Sequence, residues 1–351
     1  AGIGGVSMSP LAEGLHGMGL TVQGSDQTGS AVGDHLRSLG ISIHVGHTAS
    51  DIEGAEFVIR TAAIHDDNPE IAAARRKGIP VFERAEAWGA IMQQYENAVC
   101  IAGTHGKTTT TSMTTHIFMA AQADPTVMIG GTLPMLHSGY RVGRGDTIIL
   151  ESCEYCNSFL HFFPTVAVVL NVEADHLDFF KDLDDIKQSF RRFAQLTPQD
   201  GHIVANADDA GAMDALKGLP LFTFGCGEGA DCQARNLTWQ HGRPDFDVVA
   251  GGKVYTHLSL RVAGLHNVYN ALAAASAAYV LGIPGKAVRQ GLEGFFGAGR
   301  RFELKGQYNG ARIYDDYAHH PAELHALLDM AKSLGYDRVI CAFQPHTYTR
   351  T

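Results

Sequence analysis

Charged side chains are scarce, 18% of the 351 residues, and the basic ones are the minority, with 27 Lys and Arg against 37 Asp and Glu. The resulting charge of -10 repels a phosphate backbone unless basic groups are locally concentrated, so nucleic acid is not an expected partner. Cysteine is equally sparse: Cys100, Cys153, Cys156, Cys226, Cys232 and Cys341 are spread through a large chain, which fits reduced thiols of the cytoplasm better than a disulfide framework. Cys153 and Cys156 form a C-x-x-C, but no second pair stands at structural-zinc spacing, and two small side chains filling a turn are expected there. The longest nearly apolar run, residues 271–283, is too short to cross a bilayer, and no basic-then-apolar leader is present, so membrane insertion is not expected.

What is present is an α/β pattern long enough for two or three domains. Residues 1–97 alternate strands (20–23, 41–45, 57–59, 79–82) with helices (11–18, 31–39, 69–77), the arrangement of a parallel sheet. A second unit, 98–299, restarts with the buried-strand run 98–101 and continues through strands at 147–150, 166–170, 203–205 and 221–224. Its stretch 225–260 is richer in polar residues and β-formers and reads as antiparallel strands on the edge of that unit, which makes the sheet mixed. Helices at 267–281 and 284–292 close it. A third unit, 300–351, has strands at 302–308, 312–314 and 338–343 and a helix at 321–334, too little for an independent core. The opening Ala1-Gly2-Ile3-Gly4-Gly5 reads like the turn after a first strand, so the expectation is a fragment lacking both termini.

The strongest chemical signal is Gly103-Thr104-His105-Gly106-Lys107-Thr108-Thr109-Thr110 between an apolar strand and a helix. There, successive backbone N–H groups and the helix N-terminus can face a phosphate chain, Lys107 can reach the outer phosphates and the Thr108 hydroxyl can ligate magnesium, which makes ATP the natural ligand. The loop is a short variant, because Ile101 stands where the first Walker glycine would fall. Gly2, Gly4, Gly5 and Ser7, followed by Gly24-Ser25-Asp26, make most of a dinucleotide-type fingerprint, with Asp26 placed to reach a ribose hydroxyl. Glu151 and Glu154 follow one strand, and Asn171, Glu173, Asp175, His176 and Asp178 follow another, at the carboxyl ends where ATP magnesium would need oxygen and imidazole ligands. Asn267 and Asn270 open a helix and can cap it or read an adenine edge; capping alone accounts for Asn267. Arg300-Arg301 follow a glycine-rich junction, where a cation can swing onto a transferring phosphoryl group. Residues 315–321, Asp-Asp-Tyr-Ala-His-His-Pro, crowd a loop before a helix that they would otherwise simply cap.

With GIGGVSMS, AGTHGKTTTT, ILESCEYCNSFL, NVEADHLD, GLHNVYNALAA, GRRFE, DDYAHHP and FQPHTYTRT in hand, the chain resembles the Mur ligases of peptidoglycan synthesis over essentially its whole length. The resemblance implies a Rossmann-like UDP-binding N-terminal domain, a central P-loop ATPase domain and a Rossmann-like C-terminal domain that is partial here. It implies an ATP- and Mg2+-dependent amide-forming ligase whose substrates, in the alanine-adding branch, are UDP-N-acetylmuramate and L-alanine. By that likeness Gly103, Thr104, His105, Gly106, Lys107, Thr108 and Thr109 hold the phosphates and Thr108, Glu154 and His176 the metal. Asn270 contacts adenine, and Arg301 and Asp316 close onto ATP. Gly4, Gly5, Ser7 and Asp26 face the sugar nucleotide, and His319 and Arg350 face the amino acid. Lys107, His176, Arg301 and His319 are the catalytic candidates. Thr347 stands where the family usually has a second arginine, and Ser189-Phe190-Arg191-Arg192 offers no lysine where related ligases carry a carbamoylated one, a departure that fits the alanine-adding branch. The alternatives are a murein-peptide ligase on the same sugar nucleotide, a nucleotide-binding module without turnover, and a nicotinamide-dependent oxidoreductase, which leaves the phosphate loop unexplained.

Overall fold

The computed structural model describes residues 1–5, 7–61 and 63–344; Thr347 and Arg350 lie outside them. The first unit runs α1 (Met8–Gly17), β1 (Gln23–Asp26), α2 (Ala31–Ser38), β2 (Ser42–Val45), β3 (Val58–Arg60), α3 (Pro69–Lys77), β4 (Val81–Glu83) and α4 (Arg84–Met92). Its strands form two separate parallel pairs, β1–β2 and β3–β4, rather than the single sheet expected. Residues 1–3 lie between the pairs: the Ala1 amine donates to Ile59 O at 2.8 Å, and the Gly2 and Ile3 amides donate to Ser25 O at 2.9 and 3.0 Å.

The central unit contains β5 (Asn97–Ala102), α5 (Lys107–Ala120), β6 (Thr126–Leu133), β7 (Ser138–Arg141), β8 (Thr147–Glu151) and β9 (Val166–Val169). It continues with α6 (Leu183–Ala194), β10 (His202–Asn206), α7 (Ala210–Ala215), β11 (Leu221–Gly225), β12 (Cys232–Gln240), β13 (Arg243–Ala250), β14 (Lys253–Ser259), α8 (Leu265–Val280) and α9 (Gly285–Glu293). Ten strands make one mixed sheet in the order β14-β13-β12-β11-β10-β9-β5-β8-β6-β7, parallel from β12 through β6 and antiparallel at β13, β14 and β7. The expected antiparallel edge over 225–260 is thus β12 to β14, with β12 itself parallel to β11. Because β5 has β8 on one side and β9 on the other, the strand order reverses beside it, and a crevice opens at its carboxyl end.

Alternation along the central strands decides what covers each face. Val99, Ile101, Ile149 and Val168 point into a core with α5, α8 and α9, while Ala98, Cys100, Ala102, Leu150 and Val169 point into the other, with α4, α6 and Met8 and Leu11 of α1. Burial pushes the Cys100 thiol up to about 12, so it is an inert packing group. The helix α5 is rich in β-branched threonine, a modest helix former, yet is buried. Thr111, Ser112, Thr114 and Thr115 each donate to the carbonyl four residues back at 2.8 Å, so none of these buried hydroxyls is orphaned. Opposite it, the alanines of α8 let the two helices approach closely.

The third unit has the hairpin β15 (Glu303–Tyr308) and β16 (Ala311–Asp315), then α10 (Pro321–Ser333). The strand expected at 338–343 does not form: those residues join no ladder among the described residues. No helix among the described residues is long and apolar enough to cross a membrane.

Candidate functional site

The loop after β5 is built by its neighbours. The Asn171 side chain accepts from His105 N at 2.7 Å and donates to His105 O at 3.1 Å, while Thr104 N donates to Asn171 O at 3.1 Å. The Thr104 hydroxyl also accepts from Glu173 N at 2.9 Å. Asn171, expected among the metal ligands, is instead a clamp that copies a strand pairing, and Asp178, from the same set, accepts from the Tyr155 hydroxyl at 3.0 Å. Two glycines are dictated by space and conformation. A Cβ on Gly103, at φ +152°, would lie 2.8 Å from Leu170 Cβ, and one on Gly106, at φ +82°, would lie 2.7 Å from Asn270 Oδ1.

Lys107 opens α5, and its ammonium donates to Thr104 O at 3.2 Å and to both Glu154 oxygens at 3.0 and 3.2 Å. Burial alone would lower its pKa; the Glu154 carboxylate, with Cys153 and Glu151 nearby, outweighs this and holds it above the usual lysine range. Burial also pushes the neighbouring Cys153 thiol up to about 11, and both members of the C-x-x-C are free, Cys156 being exposed. The Thr108 hydroxyl donates to Glu151 Oε1 at 3.0 Å, and Gly130 N donates to Glu151 Oε2 at 2.7 Å. His176, at φ +53°, places Nε2 3.7 Å from Glu154 Oε1, with its ring 4.7 Å from that of Tyr155. Thr108 is thus tied to Glu151, and Glu154 stands between Lys107 and His176, which puts the hard oxygen donors that Mg2+ prefers on the same side of the loop as Lys107.

Asn270 is buried beneath Gly106; its oxygen accepts from the Thr110 hydroxyl at 3.1 Å and its amide donates to Asn267 at 3.2 Å. Asn267 is not the cap of α8, a place held by Gly264; its amide donates to Ala263 O at 2.7 Å.

Across the crevice stands the third unit. The Arg300 and Arg301 guanidiniums lie 4.3 and 5.6 Å from the Tyr317 ring centroid. Both Asp316 oxygens accept from backbone amides, Phe302 and Ala318, at 2.7 Å, so this carboxylate shapes the turn. The His319 Nδ1 is 2.9 Å from Tyr317 O, a contact that sets the tautomer with Nε2 as the basic nitrogen. The cap of α10 is His320, not an aspartate, with Glu323 completing a capping box.

Glu323 faces His105 Nδ1 at 3.3 Å and Arg301 Nη1 at 3.9 Å and accepts from His319 N at 3.1 Å. Burial would raise its pKa, but His105, the His319 amide and Arg301 bring it to about 2 from an ordinary 4.5. The carboxylate therefore contributes stability that is fully present above pH 4.5 and is lost as pH falls through about 2. Glu323→Gln is expected to lower stability at pH 7 by on the order of 3 kcal/mol or less, and by progressively less in acid. Urea unfolding of both proteins across pH checks this, and a pH-independent difference would contradict it.

Two cavities meet at this loop. One, of 620 Å3, is lined by Gly106, Asn270, Phe295, Arg301 and Asp316; the other, of 1510 Å3, runs past Lys107, Glu151, His176 and His319 to Ser9 and His35 of the first unit. In the first unit, Gly4 N donates to Asp26 Oδ2 at 2.8 Å, so the carboxylate expected to meet a ribose holds the glycine turn. The Arg84 guanidinium donates to the Ser7 hydroxyl, and burial pulls its pKa below the usual arginine range. Sequence reasoning missed Arg84, although a cation at the start of a capping-box helix was a readable signal.

The family models "Mur ligase family, catalytic domain", "Mur ligase middle domain" and "Mur ligase, glutamate ligase domain" match residues 1–96, 101–278 and 300–350. The chain is 47% identical over 353 residues to a UDP-N-acetylmuramate--L-alanine ligase of Caldanaerobacter subterraneus subsp. tengcongensis, covering 100% of this chain and 77% of that protein. It is 46% identical over 352 residues to one of Clostridium novyi, with the same coverage. Among solved structures, UDP-N-acetylmuramate-alanine ligase from Thermotoga maritima superposes with a TM-score of 0.81 at 32% identity, over 95% of this chain and 76% of that one. A murein peptide ligase from Psychrobacter arcticus gives 0.78 at 27% identity, over 96% and 76%. The short phosphate loop, the acidic and imidazole groups around it and family matches over residues 1–96, 101–278 and 300–350 have one explanation: the chain belongs to the Mur ligase family.

Proposed function

We propose that this protein joins L-alanine to the lactyl carboxylate of UDP-N-acetylmuramate in the cytoplasm, with cleavage of ATP, as a step of peptidoglycan precursor synthesis. The observation that carries this reading is the crevice in which the Lys107 loop, Glu151 and His176 face Arg301 and His319, and whose cavity extends to Ser9 of α1 and His35 of α2 in the first unit. In this reading residues 1–97 bind the UDP-sugar, 98–299 bind ATP and 300–351 begin the amino-acid domain.

The γ-phosphate of ATP passes to the lactyl carboxylate oxygen as the bond to ADP breaks, giving an acyl phosphate. The alanine nitrogen then attacks the acyl carbon, its proton leaves to a base, and inorganic phosphate departs. The residues 103–109 and the α5 N-terminus hold the triphosphate, and Lys107 and Arg301 neutralise charge on the transferring group from opposite sides. Thr108, Glu154 and His176 would hold Mg2+, whose charge further screens the phosphate oxygens. Asn270 offers its remaining amide N–H to the adenine edge, and Asp316 sets the turn that brings Arg301 and His319 to the crevice. Gly4, Gly5 and Ser7, with Arg84, face the diphosphate of the sugar nucleotide, and Asp26 belongs to the same substrate site by holding the glycine turn through the Gly4 amide. His319 Nε2 takes the amine proton, and Arg350 binds the alanine carboxylate.

Phosphate release and ligated product, measured with UDP-N-acetylmuramate, magnesium-ATP and single amino acids, test this. Release is expected to require the sugar nucleotide and to be fastest with alanine. Release indifferent to amino-acid identity, or supported by a tripeptide and not by alanine, would replace the reading with a murein-peptide ligase, and binding of both nucleotides without release would reduce it to a binding module.

A further inference from the structure

We infer that His105, Glu173 and His320 form a site for a borderline divalent transition ion such as Zn2+, which ties the third unit to the phosphate loop. One ligating atom from each of the three lies within 4.8 Å of the others. The three come from separate segments: the loop after β5, the segment after β9 and the cap of α10.

The state of His105 is the second observation. Its Nε2 is buried and has no hydrogen-bond partner among the described residues, although Glu173 Oε2 stands 3.5 Å away. Its Nδ1 meets the Glu323 carboxylate at 3.3 Å. A ring whose one nitrogen is oriented by a carboxylate while the other points at an acidic oxygen is the arrangement by which proteins orient a metal-binding imidazole. The His320 ring packs against it with centroids 4.6 Å apart. His320 Nδ1 accepts from Ala322 N at a long 3.3 Å; ligation through its other nitrogen would shift the ring proton and release that bond.

Two imidazoles and one carboxylate favour Zn2+, Co2+ or Ni2+ over the hard, oxygen-seeking Mg2+, and three protein ligands leave a fourth tetrahedral position for water. The set shares no residue with Thr108, Glu154 and His176. Since two ligands belong to the central unit and one to α10, occupancy holds the third unit against the loop.

Co2+ is the probe, titrated into the protein in excess Mg2+ without nucleotide, so that the result is independent of the ATP reading. Tetrahedral Co2+ absorbs strongly in the visible, and the band is expected to saturate at one equivalent and to be displaced by Zn2+. His320→Asn, which keeps a side-chain acceptor for the α10 cap, and Glu173→Gln are each expected to weaken Co2+ by about tenfold or more and to flatten the band. Thermal unfolding without metal verifies that the variants fold, and if Glu173→Gln does not, His320→Asn decides. Equal affinity and spectra in wild type and folded variants, or no band in the wild type, would overturn the inference.

Discussion

Lys107→Met is expected to reduce turnover by about 10²–10³-fold or more while UDP-sugar binding to the first unit persists. The ammonium sits at the first position of α5, inside the loop, where a cation can meet charge that moves onto the outer phosphates, and loss of one such preorganised group has an effect of this size. The substitution also strips Glu154, 3% exposed at its side chain, of its counter-ion, and breaking a buried pair from one side destabilises by about 3–5 kcal/mol. Chemistry and folding therefore need separating. The double variant Lys107→Met, Glu154→Gln removes both charges and should recover most of the lost stability but none of the activity. Phosphate release, denaturant unfolding and UDP-sugar titration on all three proteins read the two effects apart. Near-normal turnover in either variant would remove Lys107 from the mechanism.

Gly103→Ala should be nearly as severe for a different reason. The residue has a backbone conformation that side chains avoid, and its new methyl would lie 2.8 Å from Leu170 Cβ and 3.3 Å from the Leu170 and Asn171 amides. Strain and overpacking of this kind cost about 1–3 kcal/mol each. The segment that must give way is the one Asn171 clamps, so the loop loses its shape. ATP binding is expected to weaken about tenfold or more, with the KM for the sugar nucleotide little changed. An unaltered ATP KM, with the methyl accommodated, would show that loop geometry is not limiting.

The parts of the fold that sequence exposes are those where local signals agree with the final contacts. Strand, glycines, Lys-Thr and helix place the phosphate loop because each is a local requirement of the same geometry. The strands β6 and β7 were not legible: Gly130 and Gly131 break the β pattern of Thr126–Leu133, and β7 is set by pairing with β6. The helix α6 was readable and overlooked, since Asp182 caps it and Ile186, Phe190 and Phe193 recur at helical spacing. The run 338–343 has β-formers but joins no ladder among the described residues, where propensity has no neighbouring strand to pair with. At the site, types and positions were visible, whereas partners were not. Asp26, Asp316 and Asn171 looked like ligand contacts and are found holding turns, because a short polar side chain after a strand serves either purpose and only the backbone trajectory decides.

The clamp that Asn171 places on His105 has a consequence for the order of events. The loop takes its form when the chain folds, so in the function proposed above a triphosphate arriving later meets a loop that is already shaped. The entropy of ordering the loop has been surrendered in advance, so the affinity expected for nucleotide reflects the interactions gained rather than the cost of moulding the host. A Leu or Ala at position 171 would transfer that cost to the moment of binding, and arrival would become slower as well as weaker.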